Sequence, residues 1–318
     1  MQKTFLELYG SASWSVLHSF EAEDRASMAA MRAAVEPMKG TLRGTAARVP
    51  FDGIMEHVAA AEGVSYEADE VGGIAGWWCR PEGAAAGRVV MHLHGGWFNW
   101  GSAKAYRNFA GQIAARAGAA VFVPDYRLAP EHPFPAAADD ALAAYRALVE
   151  RGFAKIAITG DSAGGNLALG LLVRLAARVE EDGKALVVGV ALSPVTDLAL
   201  AGSSWETRAE ADPVFTKEQV AGLVEGYLSG HAAEDPLASP VYAELKGLAP
   251  VRMHVGDDEV LLDDSVRFVE RAVAAGVDAR LEVWEGMLHG FAGSVGRLKA
   301  SSEALGLVGE FLRERFAE

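Results

Sequence analysis

The stretch Gly160-Asp161-Ser162-Ala163-Gly164-Gly165 lies where an apolar, β-branched run ends and a long helical pattern begins. Residues 155–159 favour a strand and residues 166–179 favour a helix, so Ser162 is predicted to occupy the turn between them. On such a turn the serine backbone is strained, and the neighbouring glycines leave room because they have no Cβ atom. The turn predicts an exposed nucleophile, with the amide of Ala163 directed at the bond under attack. Glycine-rich turns also bind phosphate groups, so other parts of the sequence are needed to distinguish a nucleophile from a phosphate site.

The composition limits the possible classes of protein. The 318 residues suffice for one large α/β domain with an accessory element, or for two ordinary domains. Hydrophobic residues make up 51% and charged residues 23%, which argues against long disordered segments. The net charge of −14 disfavours binding to nucleic acid or anionic membranes, because those surfaces recruit clustered Lys and Arg.

The location of the protein is predicted from its first residues and its cysteine content. The N-terminus lacks the basic flank and apolar core of a signal peptide, and no apolar run approaches the ~20 residues of a membrane-spanning helix. The single cysteine, Cys79, excludes an intrachain disulfide and is typical of a reducing compartment. We therefore expect a cytoplasmic protein with no membrane partner.

Short apolar runs alternate with helical patterns through most of the chain, which predicts a mostly parallel sheet with helices on both faces. The predicted strands are 88–93, 120–123, 156–159, 187–192, 251–255 and 281–284, and the predicted helices are 103–117, 136–151, 166–179, 264–275 and 301–316. In open sheets of this kind ligands bind beyond the carboxyl ends of the strands.

Two regions fall outside this alternation. Residues 1–50 read as amphipathic helix with no strong strand signal, and they are predicted to form the N-terminal helical part of a cap. Residues 51–318 are predicted to form the catalytic domain. Within it, residues 195–250 are polar and rich in turn signals, with one helical stretch at 219–228, and are predicted to contribute a further cap or insertion. Alternatively, residues 195–250 form a surface loop that does not cover the site.

A serine hydroxyl needs a base to take its proton, and that base needs a carboxylate to orient it. His289 is the candidate base, because it follows the last predicted strand in a loop where Gly286 and Gly290 permit a bend. The acid is expected after the preceding strand, where five carboxylates occur within eight residues: Asp257, Asp258, Glu259, Asp263 and Asp264. Asp263 and Asp264 also lie at the start of a helix, where negative charge is favourable.

A third element follows the strand 88–93, where the sequence reads His94-Gly95-Gly96-Trp97. Adjacent glycines let backbone amides turn towards the site and donate to a developing oxyanion. Together with the turn at Ser162, this segment predicts an oxyanion hole built from the amides of Gly95, Gly96, Trp97 and Ala163.

Four motifs in order resemble the hormone-sensitive-lipase family of α/β-hydrolase esterases. They are His94-Gly95-Gly96, the segment Asp125 to Ala136, Gly160 to Gly165, and His289-Gly290-Phe291. The resemblance covers about residue 73 to the C-terminus and implies an α/β-hydrolase fold with a helical cap. It also implies hydrolysis of carboxylic esters, with short-to-medium acyl chains, and no metal or organic cofactor. The segment from Asp125 is diagnostic but predicted to be structural, with Asp125 and Arg127 binding exposed backbone groups.

The sequence departs from the family pattern at two positions. Trp97 stands where the family usually has a third glycine, and its amide is expected to donate if its φ is negative. Aligned from His289 without a gap, Glu259 takes the place of the first aspartate of the family's Asp-Pro-Leu-x-Asp motif. The resemblance thus favours Glu259 as the triad acid, ahead of Asp258 and Asp257, and glutamate can orient a histidine as aspartate does.

The resulting hypothesis is a serine carboxylesterase with Ser162, His289 and Glu259 as its triad and a small-molecule ester as its substrate. Hydrolysis of amides, lactones or carbamates by the same triad is the alternative. A non-catalytic ligand receptor on the same fold is another, but receptors that resemble this family lack the histidine. Exposed sheet edges in this fold often pair into dimers, so a homodimer is expected by analogy alone.

Overall fold

The computed structural model describes residues 4–177 and 186–318, and within these ranges nine strands form a single sheet. The strands are β1 Ser15–His18, β2 Val64–Val71, β3 Ile74–Pro81, β4 Arg88–Leu93, β5 Ala120–Pro124, β6 Lys155–Asp161, β7 Leu186–Leu192, β8 Val251–Gly256 and β9 Ala279–Trp284. Their order across the sheet is β1-β9-β8-β7-β6-β4-β5-β3-β2, and every pairing is parallel except those of β3 with β2 and with β5.

Helices cover both faces of this sheet. They are α1 Phe5–Tyr9, α2 Arg25–Val35, α3 Arg48–Glu56, α4 Ala103–Ala117, α5 Ala136–Glu150, α6 Ala163–Ala176, α7 Ser204–Thr207, α8 Lys217–Leu228, α9 Leu262–Ala274 and α10 Lys299–Ala317. Val89 and Met91 of β4 pack in the core that contains α5, α6 and α9, whereas Val90 between them packs with α4 and α10. Side chains alternate across a strand, so apolar residues at every position bury both faces.

The parallel strands bring the predicted site residues to one edge of the sheet. Strands β4, β6, β7, β8 and β9 lie side by side in the sheet, and all run in the same direction. The segment at His94 follows β4, Ser162 follows β6, Glu259 follows β8 and His289 follows β9. Residues far apart in the sequence therefore meet beyond the carboxyl ends of the strands, as the predicted mostly parallel sheet requires.

The prediction of an all-helical N-terminal segment is wrong at β1. Residues 15–18 form an edge strand that pairs in parallel with β9, and β2 lies before residue 73, where no strand was expected. His18 therefore belongs to the sheet: its ring stacks on Trp284 with centroids 3.9 Å apart, and its Nε2 lies 2.7 Å from Glu282 Oε2. These tertiary contacts define β1, and four residues are too few to show a strand period.

Residues 195–250 contain α7, α8 and a 3-10 turn at Pro240–Tyr242. The helix predicted at 166–179 begins at Ala163, and its last two predicted residues lie outside the described part of the chain, as do residues 1–3 of the predicted cap. None of the described helices is both long enough and apolar enough to cross a membrane.

Candidate active site

The backbone of Ser162 has φ 53° and ψ −121°, a left-handed conformation that is strained for a residue with a side chain. A Cβ on Gly160 would lie 2.2 Å from the carbonyl oxygen of Gly164, and a Cβ on Gly164 would lie 1.9 Å from that of Leu93. Glycine is therefore required at both positions. The amide of Ser162 donates to Leu192 at 2.8 Å, which fixes the turn against β7.

Glu259 and His289 are in direct contact. The Nδ1 atom of His289 lies 2.9 Å from Oε2 of Glu259, whose side chain is fully buried. The other oxygen of Glu259 accepts hydrogen bonds from the hydroxyl of Ser193 and the amide of Gly256, each at 2.7 Å. A carboxylate with all these contacts is held in one orientation, and it leaves Nε2 of the imidazole as the ring nitrogen available to a substrate or nucleophile.

The environment of His289 favours its protonated form. Burial lowers the pKa of His289, but the hydrogen bond to Glu259 and the negative charges of Glu259, Asp212 and Asp161 outweigh burial and raise it above the ordinary value. Asp212 is itself buried, and burial raises its pKa as well. The site therefore stabilises the imidazolium that a general base forms when it accepts a proton.

The other four acidic residues of the cluster have different partners. Asp257 accepts from the amide of Gly286 at 2.9 Å, and burial raises the pKa of Asp257 to about 6. Asp258 forms an ion pair with Arg32 of α2. Asp263 and Asp264 accept from the segment after β7 rather than from their own helix: Asp263 binds the amide of Ser204 and the hydroxyl of Ser203, and Asp264 binds the amides of Thr196 and Asp197. Of the five carboxylates, Glu259 is the one that contacts His289.

The amide of Gly95 is already occupied. It donates to Oδ1 of Asp161 at 3.0 Å, while the other oxygen of that carboxylate accepts from the hydroxyl of Tyr106 at 3.0 Å. The expectation that Gly95 donates to an oxyanion is therefore corrected, because a single N–H cannot serve both acceptors well. Within residues 4–177 and 186–318, the amides of Gly96, Trp97 and Ala163 have no such acceptor.

Trp97 does not have the negative φ on which donation by its amide was expected to depend. Its φ is 51°, and that of Phe98 is 61°, so two successive side-chain-bearing residues are left-handed. The turn is held by the carbonyl of Gly96, which accepts from the amides of Asn99 at 3.0 Å and Trp100 at 2.9 Å. The Trp97 ring is buried and packs edge-on against Phe215, with centroids 5.4 Å apart. Packing of the indole thus maintains the strained turn.

Ser162 and His289 line the same cavity, which has a volume of about 580 Å³. Its walls are mainly apolar and come from α2, α3, the loop after β4, the segment after β7 and the loop after β9. The lining includes Met31, Val35, Met38, Leu42, Phe51, Met55, Gly96, Trp97, Val214, Phe215 and Leu288. An apolar cavity with a few convergent polar groups is the usual form of a small-molecule site.

Comparison with known proteins agrees with this geometry. A family described as having an alpha/beta hydrolase fold matches residues 90–293. The chain is 37% identical over 244 residues to an "Acetyl-hydrolase" of Streptomyces hygroscopicus, covering 76% of this chain and 80% of that protein. It is 36% identical over 231 residues to an "Esterase" of Acinetobacter venetianus, covering 72% and 75%. A solved "esterase from the bacterial hormone-sensitive lipase (HSL) family" matches with a TM-score of 0.85 at 37% identity, covering 91% of this chain and 98% of that one.

The chain belongs to the hormone-sensitive-lipase family of α/β-hydrolases. The predicted fold and family are thereby confirmed. This family member is a carboxylic ester hydrolase, as its esterase and acetyl-hydrolase relatives indicate. The described residues contain no cluster of three or more His, Cys, Asp or Glu side chains arranged for a metal ion. The homodimer and the cytoplasmic location stay predictions.

The diagnostic segment from Asp125 supports the esterase's loop at His94. The hydroxyl of Tyr126 donates to the carbonyl of His94 at 2.6 Å, and the two rings stack with centroids 4.2 Å apart. Arg127 pairs with the Asp140 carboxylate at 2.7 Å rather than with the backbone groups that the sequence analysis expected. Asp125 accepts a hydrogen bond from a backbone amide outside the segment, that of Ala103 at the start of α4, rather than from the loop's own backbone as expected. The segment thus buttresses the site of this esterase without supplying a reacting group.

Sequence reasoning missed two residues that shape the esterase site. Ser193 directly follows β7 and donates to Glu259, and Asp161, inside the Ser162 motif, holds the Gly95 amide. A signal existed for both, because each is a polar residue at the carboxyl end of a buried strand next to the expected site. Their partners could not be assigned from spacing alone, since Ser193 and Glu259 lie 66 residues apart.

Proposed function

We propose that this esterase is a serine carboxylesterase that works through an acyl-enzyme, with Ser162 as nucleophile, His289 as general base and Glu259 as the orienting acid. The observation that carries the proposal is the 2.9 Å contact between His289 Nδ1 and Glu259 Oε2, beside the cavity that Ser162 lines. That contact leaves Nε2 to act on the serine hydroxyl. The proposed chemistry uses protein groups and water alone and needs no metal or cofactor.

The first half of the proposed reaction forms the acyl-enzyme. His289 Nε2 accepts the hydroxyl proton as Ser162 Oγ attacks the ester carbonyl, and the carbonyl π electrons move onto oxygen. Amides of Gly96 and Ala163 are the proposed donors to that oxyanion, and Trp97 is left out because its φ of 51° does not meet the condition for donation. When the tetrahedral species collapses, the bond to the alcohol oxygen breaks and the imidazolium protonates the alcohol.

The second half regenerates the serine. Water loses a proton to His289 and attacks the acyl carbon, and collapse expels Ser162 Oγ, which takes the proton back. Glu259 keeps the imidazole oriented through both halves and stays ionised while the imidazolium forms. Its 2.7 Å bonds from Ser193 and Gly256 keep the carboxylate in the orientation that contacts the imidazole.

We further propose short-to-medium acyl esters as the substrate class. The cavity of about 580 Å³ and its apolar lining support acyl or alcohol groups of modest size. One relative bears the name acetyl-hydrolase, which favours the same range. Profiling of p-nitrophenyl esters from acetyl to palmitoyl tests this, and a maximum at the long end would overturn it.

The mechanism is tested with Ser162→Ala on p-nitrophenyl butyrate. We expect loss of nearly all turnover, and of the initial burst of p-nitrophenol that an accumulating acyl-enzyme gives. Ser294→Ala is the matched control, because Ser294 lines the same cavity and has no proposed role in the reaction. Full activity in Ser162→Ala would refute the proposal.

A further inference from the structure

One arginine on α2 reaches the two turns that carry the proposed acid and base. Arg32 Nη1 donates to the carbonyl of Ala211 at 2.6 Å. Its Nη2 donates to the carbonyl of Gly286 at 3.1 Å and pairs with the carboxylate of Asp258. A single guanidinium thus joins the N-terminal helix to three separate loops.

These contacts lie close to the reacting groups along the chain. Asp258 directly precedes Glu259, and Gly286 lies three residues before His289 in the turn that follows β9. Arg32 therefore holds one end of the acid turn and one end of the histidine turn at the same point.

The two turns have little freedom to move independently. The amide of Asp258 donates to the carbonyl of Met287 at 3.3 Å, and Asp257 accepts from the amide of Gly286 at 2.9 Å. A Cβ on Gly256 would lie 2.1 Å from the carbonyl oxygen of Met287. Any displacement of one turn against the other therefore changes the contact between Glu259 and His289.

Arg32 acts by fixing the positions of the groups that it binds, rather than by charge attraction to Asp258. The side chains of Arg32 and Asp258 are 28% and 21% exposed, so water weakens the attraction between them. A planar guanidinium fork can bind three acceptors in fixed directions, which a lysine ammonium cannot do. The same helix supplies Met31 and Val35 to the cavity wall, so Arg32 connects the wall to both turns.

We propose that Arg32 is a positioning residue for the Glu259–His289 pair, so that correct seating of α2 is required for turnover as well as for the shape of the cavity. The proposal rests on the serine mechanism given above. It predicts a lower kcat when the fork is removed, even for an acetyl ester whose acyl chain is too short to depend on the cavity wall.

The experiment compares three variants on p-nitrophenyl acetate and hexanoate. We expect Arg32→Ala to lower kcat about 10- to 100-fold on both esters, with little change in KM, because small displacements of reacting groups cost that much. Arg32→Lys should recover part of the loss, since an ammonium can bind some of the acceptors but not all. Arg25→Ala is the control: it removes the same charge from an exposed position on the same helix, where Arg25 lies 5.0 Å from the Phe20 ring.

Two outcomes would overturn the inference. If Arg32→Ala keeps the native kcat and raises only KM for hexanoate, then α2 forms part of the cavity wall but does not position the reacting groups. If Arg25→Ala loses kcat equally, the effect is not specific to the fork. Should Arg32→Ala fail to fold, Asp258→Ala takes its place, because it removes the acceptor through which Arg32 holds the acid turn. Native kcat in that variant would likewise contradict the inference.

Ser162→Ala separates this inference from the proposed function. An inactive Ser162→Ala combined with an unimpaired Arg32→Ala refutes the positioning role alone. An active Ser162→Ala refutes the serine mechanism itself, whatever Arg32→Ala does.

Discussion

Ser193 donates its hydroxyl to Oε1 of Glu259 at 2.7 Å, while Oε2 of the same carboxylate contacts His289. Ser193, the residue directly after β7, has a φ of 46°, so this contact is made from a left-handed backbone conformation. The hydroxyl and the Gly256 amide together occupy the oxygen that does not contact the histidine. Glu259 is thereby held by a residue that follows β7 and by the last residue of β8, independently of its contact with His289.

Replacing Ser193 with alanine should lower kcat/KM for p-nitrophenyl butyrate about 10- to 100-fold, because a hydrogen bond to a charged group is worth roughly 1.5–3 kcal/mol. Ser265→Ala is the control, since the hydroxyl of Ser265 is buried and has no hydrogen-bond partner in the described part of the chain. Equal losses in the two variants would show that the effect is not specific to Glu259.

The triad acid is tested by three amide substitutions of similar shape. Glu259→Gln should lower kcat by about 10³- to 10⁴-fold, because the histidine loses the carboxylate that sets its tautomer. Asp257→Asn and Asp258→Asn should each retain far more activity, since neither side chain contacts His289. A collapse of kcat in one of the aspartate variants, with Glu259→Gln active, would mean that the alignment of Glu259 with the family's aspartate is wrong.

The pH dependence of kcat/KM follows from the raised pKa of His289. A general base must be neutral, so activity is expected to fall as the pH drops through that pKa, at a higher pH than for an ordinary histidine of pKa ~6.5. In Glu259→Gln the residual activity should fall at lower pH, because the hydrogen bond and charge that raise the pKa are gone. A profile measured from pH 4 to 9 checks the direction, and an unchanged acid limb would contradict it.

Asp257 provides a separate prediction about stability. Burial raises the pKa of Asp257 to about 6, so the folded state favours its protonated form. The free energy of unfolding should therefore fall as the pH rises from the unfolded value towards 6, and remain lower above it. Asp257→Asn mimics the protonated form and should gain on the order of 1–3 kcal/mol at pH 8 but little at pH 4. Urea unfolding at both pH values tests this, and an equal gain at both would exclude titration as its cause.

Trp97→Gly restores the glycine that the family usually has. The lost indole should open the cavity beside Phe215 and shift the preferred acyl chain towards greater length. Loss of a buried tryptophan costs about 3–5 kcal/mol, although a φ of 51° favours glycine and offsets part of that cost. Trp205→Ala is the control for stability, because Trp205 is also buried with an unpartnered indole nitrogen among the described residues, and lies away from the cavity. An unaltered chain-length profile would show that Trp97 does not limit the cavity.

Most strands and helices of the central sheet were predicted correctly from the sequence, and the elements that were missed have physical explanations. Strands such as β4 and helices such as α4 have long, regular apolar patterns, and both were predicted with the bounds that the structure has. Strand β1 was missed because it has four residues and its partner, β9, lies at the other end of the chain. Local periodicity carries no information about such a pairing.

The features of the site also divide into those that the sequence predicts and those that it cannot predict. The turn at Ser162 and the loop at His289 could be found from glycine positions and strand order. The loss of the Gly95 amide to Asp161 could not, because it depends on a contact between residues 66 positions apart. The role inferred for Arg32 likewise depends on three loops that meet only in the folded chain.

The left-handed backbone at Trp97 has a consequence for how this enzyme could change. A glycine at that position would find its preferred φ already in place, so the loop would need no rebuilding to accept one. A change of one base converts the tryptophan codon into a glycine codon. The shift in acyl-chain preference expected of Trp97→Gly therefore needs only a single base change, and its cost is set by the packing lost against Phe215.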